Sequence, residues 1–587
     1  MFVSMRCLTS HGFWPFGFLP SRPSLSAPPL ALMLLGSLLI FTLITSGSAA
    51  ENLATNCTLY AAANGRDSNS GTSSTAPKTL DGASSVSKPG DVICLLSGTY
   101  SLSQTFYPGK TGTSAAWIVY KNYGDGNGNV QFTWTGSTGQ NMFHFYSSAL
   151  STGGNYIEIR GLKFDGQNTA EDALKCYKSH HLRFIGNTVE NISSGGIGTK
   201  NCDYVTSDSN RIYHNGYNSG WGSGISYNSN QWLDTAPGFH SFVVNNIISG
   251  EFDGSSNHTD GNGIIMDMSN DSSNFSTANT PPVLIANNVI YQNGGRCINV
   301  FVVSSIWTVN NTCYKNGLDL SRSDWGEMTT NNSKNGYFIN NVVSAWNNHQ
   351  AYQQEGSNQN VIYYRDMYYG GSNNFTYSDP SQLIQADPLF VNPPHVDSTA
   401  GGQYNNALPP DQIGNGLSVQ SNSSVIDRGI DPTTISGIPS EVISGLRQYV
   451  FKDINGTSRP QGGGFDLGAY EHAGSLDTTP PSVPTGLRIT SVVARGINLA
   501  WNANGESDLG GYKVYYGTAA GAYTAPISLG KVTTYSLSGL TSGQTYHISI
   551  TAYDTSNNES GHSSEVSGVP GLVSQHRVRR HLRDGRH

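Results

Sequence analysis

The chain has 587 residues, 68 of them glycine, with only 12% charged residues and a formal net charge of −8. That length exceeds one compact core, and so few charges exclude helical bundles and coiled coils, which need long periodic runs of Ala, Leu, Glu and Lys. There is no basic field for nucleic acid, and the richness in Gly, Asn, Ser, Thr and Tyr predicts an all-β protein of many short strands and turns.

From Leu30 to Thr45 runs LALMLLGSLLIFTLIT, without a charge; Arg6 and Arg22 precede it, and the first carboxylate is Glu51. A basic start, an apolar stretch and the small residues SGSAA describe an export signal over 1–50, cleaved after Ala50. The stretch falls short of the roughly twenty residues that span a bilayer, so the expectation is a secreted chain with no stable membrane insertion after cleavage. Six cysteines remain: Cys57, Cys94, Cys176, Cys202, Cys297 and Cys313. None forms a C-x-x-C, which disfavours zinc. An even count in an exported chain allows three disulfides, with Cys57–Cys94 and Cys176–Cys202 preferred as sequence neighbours.

Past Tyr156 a pattern recurs: a short apolar strand, an asparagine, a second strand, then a glycine-flanked apolar residue. LRFIGNTV, FVVNNII, VLIANNVI, IWTVNNT and YFINNVV carry it, with a fainter copy in VTSDSNRIY. One strand-turn-strand unit per irregular repeat predicts a β-solenoid. Asparagine tolerates the left-handed bend between strands and can bond its counterpart in the next coil. Asn187, Asn246, Asn288, Asn311 and Asn341 are therefore expected in one stacked turn column.

The opening YAAANGRDSNSGTSSTAPKTL…KPGDVICLLSGTY, Tyr60 to Tyr100, resembles the first coil of secreted right-handed parallel β-helix proteins of the pectate-lyase-like superfamily. It looks most like the branch holding family nine polysaccharide lyases, chondroitinase B and alginate lyases. The segment NGTSRPQGGGFDLGAYE, Asn455 to Glu471, resembles the closing motif of many β-helix repeat proteins. After the Pro/Thr-rich linker 474–484, INLAWNAN with Trp501, GYKVYYGT, and LTSGQTYHISITAYD with Tyr546 resemble a fibronectin type III module. The expected organisation is a right-handed parallel β-helix over 51–473, a fibronectin type III β-sandwich over 485–570, and a basic, disordered tail over 571–587. The resemblance implies a monomer acting on an extended polysaccharide.

Solenoid enzymes hold polymers against an outward strand face. Aligning coils on Ile197, Ile225, Ile264, Ile298 and Met328 puts Lys200, Asn228, Asp267 and Asn331 in one outward column, with Asp260, Arg296 and Glu327 at the other end of the same strands, where Arg296 and Glu327, in neighbouring coils, are placed to pair. Elimination on an acidic sugar needs its carboxylate neutralised, often by Ca²⁺, and a base beside it. Asp260 and Asp267 are the candidate metal ligands and Lys200 or Arg296 the candidate base, although the lyase family's clustered calcium aspartates are not reproduced. Hydrolysis by two carboxyl groups is the alternative, pairing Glu327 with Asp260 or Asp267, and His258 stands beside them to tune charge. NHTDG resembles the N-T-D-G motif of polygalacturonases, but that family's later motifs are missing. The non-enzymatic alternative is a surface adhesion or carbohydrate-binding protein, which would lack convergent acid, base and cation.

Overall fold

The computed structural model describes residues 57–124, 130–146, 154–218, 221–268, 279–322, 326–375, 383–395, 407–436, 438, 440–472, 479–506, 508–554 and 558–571. The expected export signal lies outside these residues, as does the basic tail apart from Gly571. Among the described residues no helix is long and apolar enough to cross a membrane.

Between Leu59 and Gln385 the backbone winds through three parallel sheets of 11, 11 and 9 strands. One coil contributes Ser241–Val244 to the first sheet, Ile247–Ser249 to the second and Ile264–Asp267 to the third. This is the expected right-handed parallel β-helix. Side chains alternate inward and outward along each strand. Ile197, Ile225, Ile264, Ile298 and Met328 pair in register across the third sheet and are all buried. They join one continuous core with Phe132, Phe143 and Phe164. A single coil cannot bury such a face, so stacking drives the fold. The disulfides are Cys57–Cys94, Cys176–Cys202 and Cys297–Cys313.

The asparagine column is present, and it divides the Asn-Asn pairs into two roles. The first asparagine of each pair takes the left-handed bend: Asn245, Asn287, Asn310 and Asn340 have φ of 58°, 56°, 55° and 57°. The second, also buried, carries the ladder. Asn187, Asn210, Asn246, Asn288, Asn311 and Asn341 each donate both backbone N–H and Nδ2 to the next coil's carboxamide or carboxyl oxygen, at 2.7–3.1 Å. Each Nδ2 also donates back to a backbone carbonyl, those of Ile159, Phe184, Ser207, Val243, Ile285 and Thr308 in turn. A second buried ladder runs through Asn215, Glu251, Asn293, Asn316 and Glu327.

The first ladder ends on Asp366, not on an amide. Its Oδ1 accepts both bonds from Asn341, whereas the fully enclosed Oδ2 has no partner. Burial raises its pKa well above the usual carboxylate range, against the hydrogen bonds from Asn341 that lower it. A carboxyl that is easier to protonate folded than unfolded weakens the fold as pH rises above its unfolded value of about 3.9. Asp366→Asn removes that penalty, because an amide does not ionise, and its Oδ1 still accepts from Asn341. The variant is expected to melt above the parent, by about 1–2 kcal/mol of stability at neutral pH. Melting curves at pH 5 and pH 8 check this: the gap should widen with pH, and a constant gap would contradict it.

Two of the three outer faces are covered. On the first sheet, Val244, Leu284, Trp307 and Val309 pack against Val442 and Leu446 of the helix Ser440–Tyr449. On the second, Ile247, Val289, Tyr291 and Val342 pack under Phe390, Leu417, Leu467 and Tyr470 from the closing segment. Neither cluster includes an outward residue of the third sheet. The C-terminal residues form a three-stranded and a four-stranded antiparallel sheet around buried Trp501. There the Tyr546 hydroxyl accepts from the Thr541 N–H at 3.1 Å.

Candidate active site

The third sheet's register sets the site. Its outward column reads Tyr146, Tyr177, Lys200, Asn228, Asp267, Phe301, Asn331 and Glu355 along successive strands. Lys200, Asn228, Asp267 and Asn331 therefore share one column as expected, with Phe301 between the last two. At its C-terminal half the column borders a cleft of about 530 Å³, lined by Asp260, Asp267, Arg296, Phe301 and Glu355 together with Trp221, Asn299 and Arg322.

Asp260 reaches this cleft on a loop organised by Asp253. The Asp253 carboxylate accepts backbone N–H bonds from Trp221, Ser255, Thr259 and Asp260 at 2.7–3.0 Å. Burial works to raise its pKa, but bonds from Ser255, Asp260 and Trp221 prevail and hold it below the usual range. From outside this turn, Asp319 Oδ2 meets the His258 Nδ1 at 2.8 Å, and Arg322 donates to the carbonyls of Asn257 and His258. Gly295 is required beneath it, because a Cβ there would collide with the Asp260 carbonyl. Asp260 is thus held from both sides.

Electrostatics then separate the carboxyl groups. Burial, followed by the nearby charges of Asp267 and Asp253, pushes Asp260 up to about 7, with Arg296 pulling the other way. Asp267 is also raised by burial, against a 2.7 Å bond from Asn228 Nδ2 and the positive charge of Lys200. Asp260 is therefore close to half-protonated at neutral pH, beside a carboxylate that also resists ionisation. Such a pair can give a proton and take one.

Of the other expected site residues, Arg296 lines the cleft but does not face Glu327. Its Nη2 donates to Glu355 at 3.0 Å and its Nε to Thr329 at 3.0 Å. Glu327 lies away from the cleft. It is buried at the end of the second ladder, where both oxygens accept from Asn316, and burial pushes it up to about 7. The pairing of Glu327 with Arg296, or with Asp260 and Asp267, is accordingly corrected: the asparagine ladder draws Glu327 inward. Lys200 is exposed two strands from Asp267 and does not line the cleft. His258 pins the loop.

A calcium site at Asp260 and Asp267 fits poorly. Ca²⁺ takes six to eight oxygens, and the four N–H groups on Asp253 leave that carboxylate no role as a third ligand. Among the described residues the one close group of three potential ligands is Cys297, Cys313 and Glu327, whose sulfurs are already joined in a disulfide.

Trp221, Phe301, Arg322 and Glu355 were not expected in the site. Phe301 and Glu355 occupy the register position of Asp267, so the same alignment contains them. Trp221 arrives from a turn with no periodic signal; it is 63% exposed at the rim.

Residues 482–569 match the model of the fibronectin type III domain. The C-terminal domain is a fibronectin type III domain. Curated relatives include chitinase A1 of Niallia circulans, 42% identical over 16% of this chain and 12% of that protein, and chitinase Chi52 of Paenibacillus xylanexedens, 35% identical over 23% and 22%. Exoglucanase B of Cellulomonas fimi is 38% identical over 16% of this chain and 8% of its own. The chain thus spans less than a quarter of the length of these relatives. Among solved structures, pectate lyase Pel9A is similar over 72% of this chain and 99% of its own, at 18% identity and a TM-score of 0.39.

Proposed function

We propose that the protein is a secreted enzyme that cleaves a polysaccharide in the cleft of the third sheet, with Asp260 as proton donor and Asp267 as its carboxylate partner. The observation that carries this reading is the half-buried Asp260 carboxyl, raised to about 7 beside Asp267 in an open cleft. An acid poised near neutrality, next to a second carboxyl, suits glycosidic bond hydrolysis. Trp221 and Phe301 offer ring faces on which sugars stack. The three disulfides suit an oxidising compartment, and fibronectin type III domains related to this one occur in chitinases and exoglucanases. Convergent acid, carboxylate and guanidinium groups weigh against an adhesion role.

Elimination is the second reading, favoured by Arg322 and Arg296 on the cleft wall. Guanidinium groups pair with carboxylates, and a uronate that takes the place of Glu355 on Arg296 would be neutralised there without a metal. One assay separates the readings: incubation with uronic-acid polymers and neutral glucans, with and without chelator. Hydrolysis yields new reducing ends alone. Elimination adds the ultraviolet absorbance of an unsaturated uronate. Neither product from any polymer would refute the enzyme reading.

A further inference from the structure

The outward column does not stop at the cleft. Three strands toward the N terminus from Asp267, about 14 Å at the usual strand spacing, stands Tyr177, and one strand further Tyr146. Their rings are parallel within 3°, with centroids 5.7 Å apart. Tyr146 is 51% exposed. Beside them His144 packs against both Tyr146 and Tyr107, and these three residues line a separate hollow of about 250 Å³. Cations accompany the rings. Lys178 Nζ lies 5.2 Å from the Tyr177 centroid, Lys110 borders the hollow, and exposed Lys200 occupies the column between Tyr177 and Asn228. The neighbouring acid Asp172 is engaged by Lys175 at 2.8 Å.

We propose that Tyr146, Tyr177 and Lys200 form a distal subsite that holds the unreacted part of an acidic polysaccharide, several sugar units from Asp260. Aromatic faces match the apolar faces of sugar rings, and ammonium groups match uronate carboxylates. Continuity with the cleft along one column supplies the path: a polymer lying straight across the strands meets Tyr146, Tyr177, Lys200, Asn228 and Asp267 in that order. The inference rests on the cleavage reading for the cleft, yet it concerns binding and can be measured apart from turnover.

The test uses Tyr146→Ala with Tyr177→Ala, and separately Lys200→Gln, whose exposed position makes it harmless to folding. Electrophoretic retardation is read in gels holding a polyuronate or a neutral β-glucan, and kcat/KM is compared for long and short polymers. Each variant should lose retardation in the polyuronate gel, and the long-to-short kcat/KM ratio should fall about tenfold, the worth of roughly 1.4 kcal/mol of lost contacts. An unchanged ratio and unchanged retardation in both variants would overturn the subsite and leave the cleavage reading standing. Loss of retardation in a chain that cleaves nothing would uphold the subsite and sink the cleavage reading. Retardation by the β-glucan alone would overturn the acidic class.

Discussion

Asp260→Asn is expected to lower turnover by about a hundredfold or more, the usual cost of removing an acid–base group, while leaving the melting temperature close to that of the parent. The two halves of this result belong together. Asparagine keeps the shape and the neighbouring bonds, and it removes a carboxyl that burial, Asp267 and Asp253 already keep from ionising readily. Stability therefore has little to lose, but the transferable proton is gone. The unsubstituted enzyme should show an alkaline limb in its pH–rate profile near the value of about 7 to which Asp260 is pushed, because the acid must be protonated to act. Steady-state rates across pH on the best polymer, alongside a melting curve of the variant, measure both. Full turnover in the Asp260→Asn protein would remove this residue from the chemistry. A variant that loses rate only by unfolding would be seen in the melt.

Asn288→Ala is expected to destabilise the solenoid by about 3–5 kcal/mol, read as a fall in denaturation midpoint. Asn288 is fully buried. Its Oδ1 accepts from the Asn246 N–H and Nδ2, and its Nδ2 donates to Val243 O and Asn311 Oδ1. Alanine leaves the Asn246 backbone N–H without its partner and takes one bond each from the Asn246 Nδ2 and the Val243 carbonyl, in a place water does not reach. Each such group costs roughly 1–3 kcal/mol, and a cavity adds to it. The contrast is Asn287→Gly, in the bend position next door. There the left-handed φ of 56° is what the site demands, and glycine meets it at no steric cost. Its loss is confined to the Asn287 Nδ2 bonds to the Tyr449 and Lys452 carbonyls and to Asn245 Oδ1. Equal midpoints for the two variants would contradict the division of labour within the Asn-Asn pair.

Much of this architecture is legible in the chain itself, for a physical reason. Ile197, Ile225, Ile264 and Ile298 must face inward, and a period of two then sets every outward position on those strands. The column through Lys200, Asn228, Asp267 and Asn331 follows directly. What alternation cannot express is a side chain captured by another system of bonds. Glu327 precedes an inward Met328 and by alternation faces out, yet Asn316 offers it two donors and it turns into the ladder. The sequence places Arg296 next to Glu327, whereas its partner Glu355 lies on Gln350–Glu355, a strand of AYQQE character too polar to stand out. Asp253 and Trp221 belong to turns, where a carboxylate collects scattered N–H groups and no period exists to reveal it.

The asparagine ladder also bears on how such a protein changes length. Asn288 and Asn311 are 23 residues apart, whereas Asn246 and Asn288 are 42 apart, yet both pairs make the same two bonds. The spine is indifferent to the size of the excursion between its rungs. Surplus residues can therefore bulge outward without disturbing it, and a whole coil spliced in beside an existing rung presents its neighbours with the amide they already expect. A fraction of a coil would break the series. Growth in complete turns extends the open face by one strand spacing each, about 4.8 Å, so the gene can graduate the reach of the groove like the marks on a ruler.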